Sequence, residues 1–167
     1  LWHKCPKCKV IVSVEDHATE MWTCGNCGHH DRINAKEYFE ILFDQGVFTE
    51  LDPKMESIDP LKFKDTKPYN DRLKAGQKKS GLKDAITTGY GEMNGHQVVI
   101  ACMNFNFIGG SMGSVVGEKI ARAMDRSLAT GAPFIMISKS GGARMMEAAF
   151  SLMQMAKTAA KIALLDD

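Results

Sequence analysis

The chain has 167 residues, 44% of them hydrophobic and 25% charged, with a formal net charge of +1. This is globular composition, enough for one ordinary domain or a small domain joined to part of a larger one. The near-balanced charge excludes an overall polyanion binder, no apolar run reaches the roughly 20 residues of a bilayer span, and the opening Leu-Trp-His-Lys-Cys is no secretory signal, so the chain reads as intracellular.

Because it begins at Leu1 rather than Met and stops at Leu165-Asp166-Asp167 directly after a long apolar stretch, the chain is expected to be a fragment. Its first element is built on cysteines. Cys5-Pro-Lys-Cys8 and Cys24-Gly-Asn-Cys27 stand fifteen residues apart, a spacing suited to one four-thiolate zinc ion. Two disulfides would suit an exported protein, and two matched pairs imply one shared ion rather than a redox motif. Residues 10–12 and 20–23 are expected as the short strands of a zinc ribbon, with His29 and His30 on the surface of its exit. Lys4, Lys7, Lys9 and Arg32 offer cations to a phosphate backbone, but Glu15, Asp16, Glu20 and Asp31 are interleaved with them, which favours a solvated mixed surface.

Asn34 with Glu37 three positions on predicts a capped helix, its face carrying Tyr38, Ile41, Leu42 and Gln45 until Gly46. Residues 47–81, rich in Lys, Asp and Pro, read as a connecting segment with one short helix over 70–78. Two strands follow at 84–90 and 97–103 around Asn94-Gly95, a hairpin signal, and Cys102 in the second is expected to be a buried, inert thiol. Next come a glycine turn at 109–113, a helix over 114–130 ended by Gly131, a strand over 133–138, the turn Gly141-Gly142, and a helix from 143 onward. This order predicts an α/β fold with a mostly parallel sheet, whose ligands gather where both glycine turns fall. The last helix is apolar almost all round and is expected to be buried on more than one side.

The turn "FNFIGGSMGSVVG" lacks the Lys-Ser/Thr ending of a P-loop, and no acidic residue is convincingly placed for dinucleotide binding. Two glycine turns facing a cleft suit an oxyanion hole instead, since glycine presents its amide without a Cβ in the way. The same turns would also serve as plain strand-to-helix corners. Arg144, behind the second turn, could hold a carboxylate or phosphate or form a structural ion pair, and Glu147 is expected on the first turn of the last helix as a dipole partner rather than a base.

The ribbon with its "CGHH" exit, "GGSMGSVVGEK", "SGGARMMEA" and "SLMQMAKT", in this order, resemble the beta-subunit family of the bacterial and plastid acetyl-coenzyme A carboxylase carboxyltransferase over nearly the whole chain. The resemblance implies a crotonase-like ββα superhelix of which only the N-terminal portion is present: a zinc ribbon over 1–33, a helix and connecting segment over 34–82, and the start of the carboxyltransferase domain over 83–167. It implies transfer of a carboxyl group from carboxybiotin to acetyl-CoA, giving malonyl-CoA for fatty acid synthesis. The implied partners are an alpha subunit in an α2β2 assembly, the biotin carboxyl carrier protein and biotin carboxylase, in the cytoplasm or a plastid stroma. Gly141 and Gly142 match the family's catalytic oxyanion pair, Gly109, Gly110, Ala143 and Arg144 are the implied substrate-binding positions, and Cys5, Cys8, Cys24 and Cys27 would hold one structural Zn2+. Lys139, where a small apolar residue is usual, and Met146, where glutamine is common, depart from the family pattern.

Three other functions compete with this one, a plain structural subunit among them. A nucleic-acid-binding ribbon would show salt-dependent binding lost on neutralising Lys4, Lys7, Lys9 and Arg32. Another crotonase-fold acyl-CoA enzyme, such as a hydratase, would need an acid/base glutamate over the thioester.

Overall fold

The computed structural model describes residues 1–165. Asp166 and Asp167, at the end of the expected 83–167 domain, lie outside the described residues. Two short strands, β1 (Trp2–Lys4) and β2 (Ile11–Ser13), pair antiparallel with Trp2 opposite Ser13. Helix α1 (Val14–Thr19) follows at once, its first turn capped by the Ser13 hydroxyl, which accepts the Asp16 N–H at 3.0 Å. The strand expected over 20–23 does not form: Met21 and Trp22 adopt φ of 51° and 59°, a left-handed turn, and only Thr23 makes a β-bridge, to His30. The first strand of the ribbon lies instead ahead of Cys5.

Helix α2 (Ala35–Leu42) opens as its capping residues require, with the Glu37 carboxylate accepting the Asn34 N–H at 2.7 Å. A second cap comes from far along the chain, where buried Asn104 Oδ1 accepts the Ala35 N–H at 2.9 Å. The helix buries Ala35 and Phe39, with Phe43 just beyond its end; of the face expected, Tyr38 and Leu42 pack half-buried on the same core, while Ile41 and Gln45 are exposed. It ends at Leu42, short of Gly46, which closes a separate 3₁₀ turn over Asp44–Gly46. Within the expected connecting segment a strand appears, β3 (Phe48–Leu51), followed by helix α3 (Tyr69–Ser80), which stops on Gly81 at φ 72°.

The hairpin forms as expected from β4 (Ile86–Met93) and β5 (His96–Met103). Helix α4 (Ser114–Thr130) then crosses to β6 (Phe134–Ile137), and helix α5 (Ala149–Leu165) closes the described chain. The larger sheet runs β3-β4-β5-β6, and only β5 and β6 are parallel, with Val99 opposite Phe134. The mostly parallel sheet expected is therefore a mostly antiparallel one, because a tight hairpin can join only antiparallel neighbours and α4 supplies the one crossover. In β5 the six residues Val98 to Met103 are all buried. Their alternation divides the core: Val98, Ile100 and Cys102 pack with Phe39 of α2 and with Phe43 just after it, while Ala101 and Met103 pack with Val116, Ile120 and Met124 of α4.

Helices α4 and α5 approach most closely at Gly117, where a Cβ would stand 2.5 Å from the Gln154 Cβ. Gly117→Ala must therefore separate two packed helices, and we expect it to cost about 1–3 kcal/mol, read as a lowered midpoint in thermal unfolding. An unchanged midpoint would mean that the pair is loosely packed. Along α5 the pairs Lys157–Glu118 and Lys161–Asp125 and the packing of Leu165 continue the contact with α4 and the core, but Phe150, Leu152, Met153, Met155, Ile162 and Leu164 are exposed, so among the described residues the helix is buried on one side only.

Candidate functional site

The four cysteines of the ribbon come together as the spacing predicts. Cys5 Sγ lies 3.7 Å from Cys27 Sγ, and Cys8 Sγ lies 3.6 Å from Cys24 Sγ, each pair drawn from both knuckles. A tetrahedral ion with bonds of about 2.3 Å to sulfur sets its ligands about 3.8 Å apart, so the donor set fits zinc, and the separations are far too long for disulfides. All cysteines are free thiols. The Asn26 side chain and the Val10 backbone stabilise the Cys8 thiolate, lowering its pKa to about 6. His29 and His30 stay outside the cluster: His30 pairs with the Thr23 hydroxyl at 3.0 Å, and His29 Nε2 approaches Asp31 at 3.5 Å. Cys102, fully buried, has its thiol pushed up to about 12 by burial, which fits the inert role expected of it.

The two glycine turns are laced into one structure. Gly141 donates its N–H to the Gly109 carbonyl at 2.9 Å, Met112 donates to the Gly142 carbonyl at 2.9 Å, and Arg144 donates its backbone N–H to the Met112 carbonyl at 2.9 Å. Expected as an oxyanion donor, Gly141 therefore spends its amide inside the turn. Gly142 is different. It is exposed, sits at φ 111°, and its N–H meets only the Ser140 hydroxyl at 3.0 Å, a rotatable group that an incoming oxyanion can displace. Ala143 beside it is exposed and bridges Met112 in parallel. In the first turn, Gly110 is buried, with its N–H on the Phe107 carbonyl and its Cα under the Lys139 carbonyl, so it packs rather than binds. Gly109 is half-buried and faces a groove.

Of the two roles open to Arg144, substrate ligand or structural ion pair, the geometry favours the second. Its side chain is fully buried, and the guanidinium grips Asp84 with two prongs, at 2.7 Å and 3.2 Å. It also donates to Ser57 Oγ and Tyr69 Oη, both at 3.1 Å, and to Ser111 through its hydroxyl at 3.1 Å and its carbonyl at 2.8 Å. Burial works against the charge, but the Asp84 carboxylate outweighs it and the guanidinium pKa moves up. The residue therefore supports the turn from behind, with no donor left for a substrate. Glu147 lies in a 3₁₀ turn before α5 instead of on its first turn. Its carboxylate accepts the Tyr69 hydroxyl at 2.7 Å and the Ser114 N–H at 2.6 Å, capping α4 and leaving the hydratase reading without its free glutamate. Asp84, Tyr69 and Ser57 were missed by sequence reasoning, since nothing local marks residues that meet only across 60 to 87 positions.

Lys139 also turns away from the site: Nζ donates to the Ile33 carbonyl and lies 4.5 Å over the Tyr38 ring, joining the ribbon's exit to α2. Arg32 is folded over the Phe105 ring at 5.0 Å, and Lys9 donates to the Pro6 carbonyl, while both stay exposed. The cations that do gather are elsewhere. Lys67, Arg72 and Lys79 line a groove with Phe105 and Ile108 that includes Gly109 and Asp71, and Arg72 is already paired with Asp65 at 2.6 Å. The Lys67 N–H and the Arg72 guanidinium hold Asp65 down to a pKa of about 2.

The chain matches the family model described as the carboxyl transferase domain over residues 32–167. It is 59% identical to the acetyl-coenzyme A carboxylase carboxyl transferase subunit beta of Pedobacter heparinus, with 99% of this chain and 59% of that protein aligned. The subunit of the same name from Christiangramia forsetii is 57% identical, over 100% of this chain and 58% of the relative. The chain thus spans about three-fifths of the length of these relatives. Among solved structures, transcarboxylase 12S with hydrolyzed methylmalonyl-coenzyme A bound superposes with a TM-score of 0.61 at 27% identity, covering 86% of this chain and 24% of that one. The fold is α/β and crotonase-like, as the resemblance implied.

Proposed function

Because the chain belongs to the carboxyl transferase family, we propose that it forms part of a carboxyltransferase beta subunit that moves a carboxyl group from carboxybiotin to acetyl-CoA, giving malonyl-CoA. The observation that carries this reading is the laced glycine turn: Gly141 bonds the Gly109 carbonyl, Gly109 lines a groove with Lys67 and Lys79, and the next residue, Gly142, keeps an exposed amide. Lys67 and Lys79 suit the phosphates of CoA, and the Gly142 amide suits an oxygen on which negative charge develops, on the thioester or on the biotin ureido group. In this reading the carboxyl carbon leaves the biotin nitrogen as CO2, the biotin oxyanion takes the acetyl proton, and the resulting enolate attacks the CO2. No protein base is required, which agrees with Glu147 and Tyr69 being committed to structure.

The four thiolates of Cys5, Cys8, Cys24 and Cys27 are proposed to hold one structural Zn2+. The exposed apolar face of α5 supports an assembly with an alpha subunit of the same fold, itself served by a biotin carrier protein and biotin carboxylase, in the cytoplasm. Among the described residues no helix is long and apolar enough to cross a membrane.

The test uses the full-length parent subunit paired with its alpha subunit and follows malonyl-CoA-dependent carboxylation of free biotin. Gly142→Ala meets no neighbour within 4 Å but strains the backbone at φ 111° and tilts the amide. We expect kcat to fall about 100- to 1,000-fold, the effect of losing one oxyanion donor, in a protein that keeps its fold and metal. Unchanged kcat would make the turn a corner only, and an inactive parent pair would overturn the reaction assignment.

A further inference from the structure

Apart from the cysteines, the ribbon brings three other metal-ligating side chains together. His3 comes from β1, His17 from α1 and Asp31 from the exit of the second knuckle, and their donor atoms lie within 4.8 Å of one another. Nε2 of His17 is 2.7 Å, and Nε2 of His3 is 2.9 Å, from the same oxygen, Asp31 Oδ2. The two imidazoles stack at 4.1 Å with only 7° between their planes, which brings both Nε2 edges to that oxygen. His29 Nε2 lies 3.5 Å from the other oxygen, Oδ1.

Hydrogen bonding accounts for only part of this arrangement. His17 makes a good contact with Asp31, but His3 Nε2 is shielded from water and has no aligned hydrogen-bond partner despite its short approach. A buried polar nitrogen in that condition is unfavourable, and native proteins place a partner, a water or an ion against it. The sequence pattern supplies no other use for the cluster. His17 is almost wholly buried in a ribbon whose other buried positions are Cys5 and Cys24, so a polar ring has been placed where an apolar one would have served the core.

We infer that His3, His17 and Asp31 form a second metal site in the ribbon, distinct from the four-thiolate one, for a late first-row divalent ion such as Zn2+. Two imidazole nitrogens and one carboxylate oxygen are a borderline donor set that suits Zn2+, Co2+ or Ni2+ and disfavours Mg2+ and Ca2+. Asp31 and His3 stand at the rim, partly exposed, and give the ion a way in, while His17 lies beneath them. His29 is the nearest candidate for a fourth donor, and water could also fill that position. The two sites would do different work: the thiolates join the two knuckles, and the second ion joins the first strand to α1 and to the ribbon's exit.

The experiment measures metal directly. The chain is saturated with Zn2+, freed of excess ion and analysed by elemental mass spectrometry, with Co2+ titration in parallel. We expect two zinc ions per chain, falling to one in His3→Ala and in Asp31→Asn. In the cobalt titration, thiolate charge-transfer absorption should saturate with one equivalent, and a second equivalent should add only the weak bands of a nitrogen and oxygen site. One zinc ion in the unaltered chain, or a second ion that persists in both variants, would overturn the inference. Should a variant unfold and lose both ions, the cobalt titration of the unaltered chain decides: a second, thiolate-free equivalent supports the site, and its absence overturns it.

Discussion

Replacing Arg144 by methionine is expected to destabilise the folded chain by about 3–5 kcal/mol, the cost of leaving one partner of a buried ion pair unpaired. The partner left behind is Asp84, which keeps only the Ser57 hydroxyl at 2.6 Å and the Ala85 N–H at 2.7 Å once the guanidinium is gone. Four separate parts of the chain meet at Arg144: the loop at Ser57, the start of α3 at Tyr69, the entry to β4 at Asp84 and the first glycine turn at Ser111. Losing the hub should therefore loosen both glycine turns together. Urea unfolding of the variant should show a midpoint well below that of the parent, and Arg144→Lys should recover little, because one ammonium cannot replace a fork that serves several acceptors. A double variant, Asp84→Asn with Arg144→Met, should lose less than the sum of the two single changes, since each alone strands the other's partner. Stability unchanged in Arg144→Met, with only substrate affinity lost, would return the residue to the anion-binding role expected from its position.

Cys24→Ser should have the second large effect, confined to the ribbon. Cys5, Cys24 and His17 are nearly the whole buried content of residues 1–33, so burial alone cannot hold that unit together. Structural zinc in small domains contributes about 10–16 kcal/mol of apparent binding free energy at neutral pH, and that energy is folding energy. Removing one thiolate, or adding a strong chelator, should unfold residues 1–33 and leave the sheet intact, because β5 buries its apolar residues between α2 and α4 without help from the ribbon. Limited proteolysis would then cut ahead of Asn34 and spare the remainder. A ribbon that stays protease-resistant after complete metal removal would show that the cluster does not maintain its fold.

Fold and site differed in how far local sequence exposed them. The paired cysteines, the Asn34 to Glu37 cap, the Asn94-Gly95 hairpin and the helix from Ser114 to Thr130 rest on interactions within a few residues, and each formed where its pattern lay. The edge strand Phe48–Leu51 was hidden because only its two ends are half-buried, so no alternation marks it. The buried face of α2 was legible only in part: Tyr38 and Leu42 pack on the core as expected, but its centre is Phe39, fixed by the side chains of β5 that it meets.

The sequence by itself determined the four-cysteine cluster, the family, and the order of strand, glycine turn and helix, because those depend on spacing and on backbone conformations that particular residues favour. Tertiary structure alone decided what the residues around the glycine turns do. Arg144 reads as an anion ligand until Asp84 is seen against it, Glu147 reads as its own helix's dipole partner until it is found on another helix, and Gly141 reads as a free amide until Gly109 accepts it. Each role was set by a partner far away in the chain, since a buried charge or amide must find its complement wherever the fold supplies it.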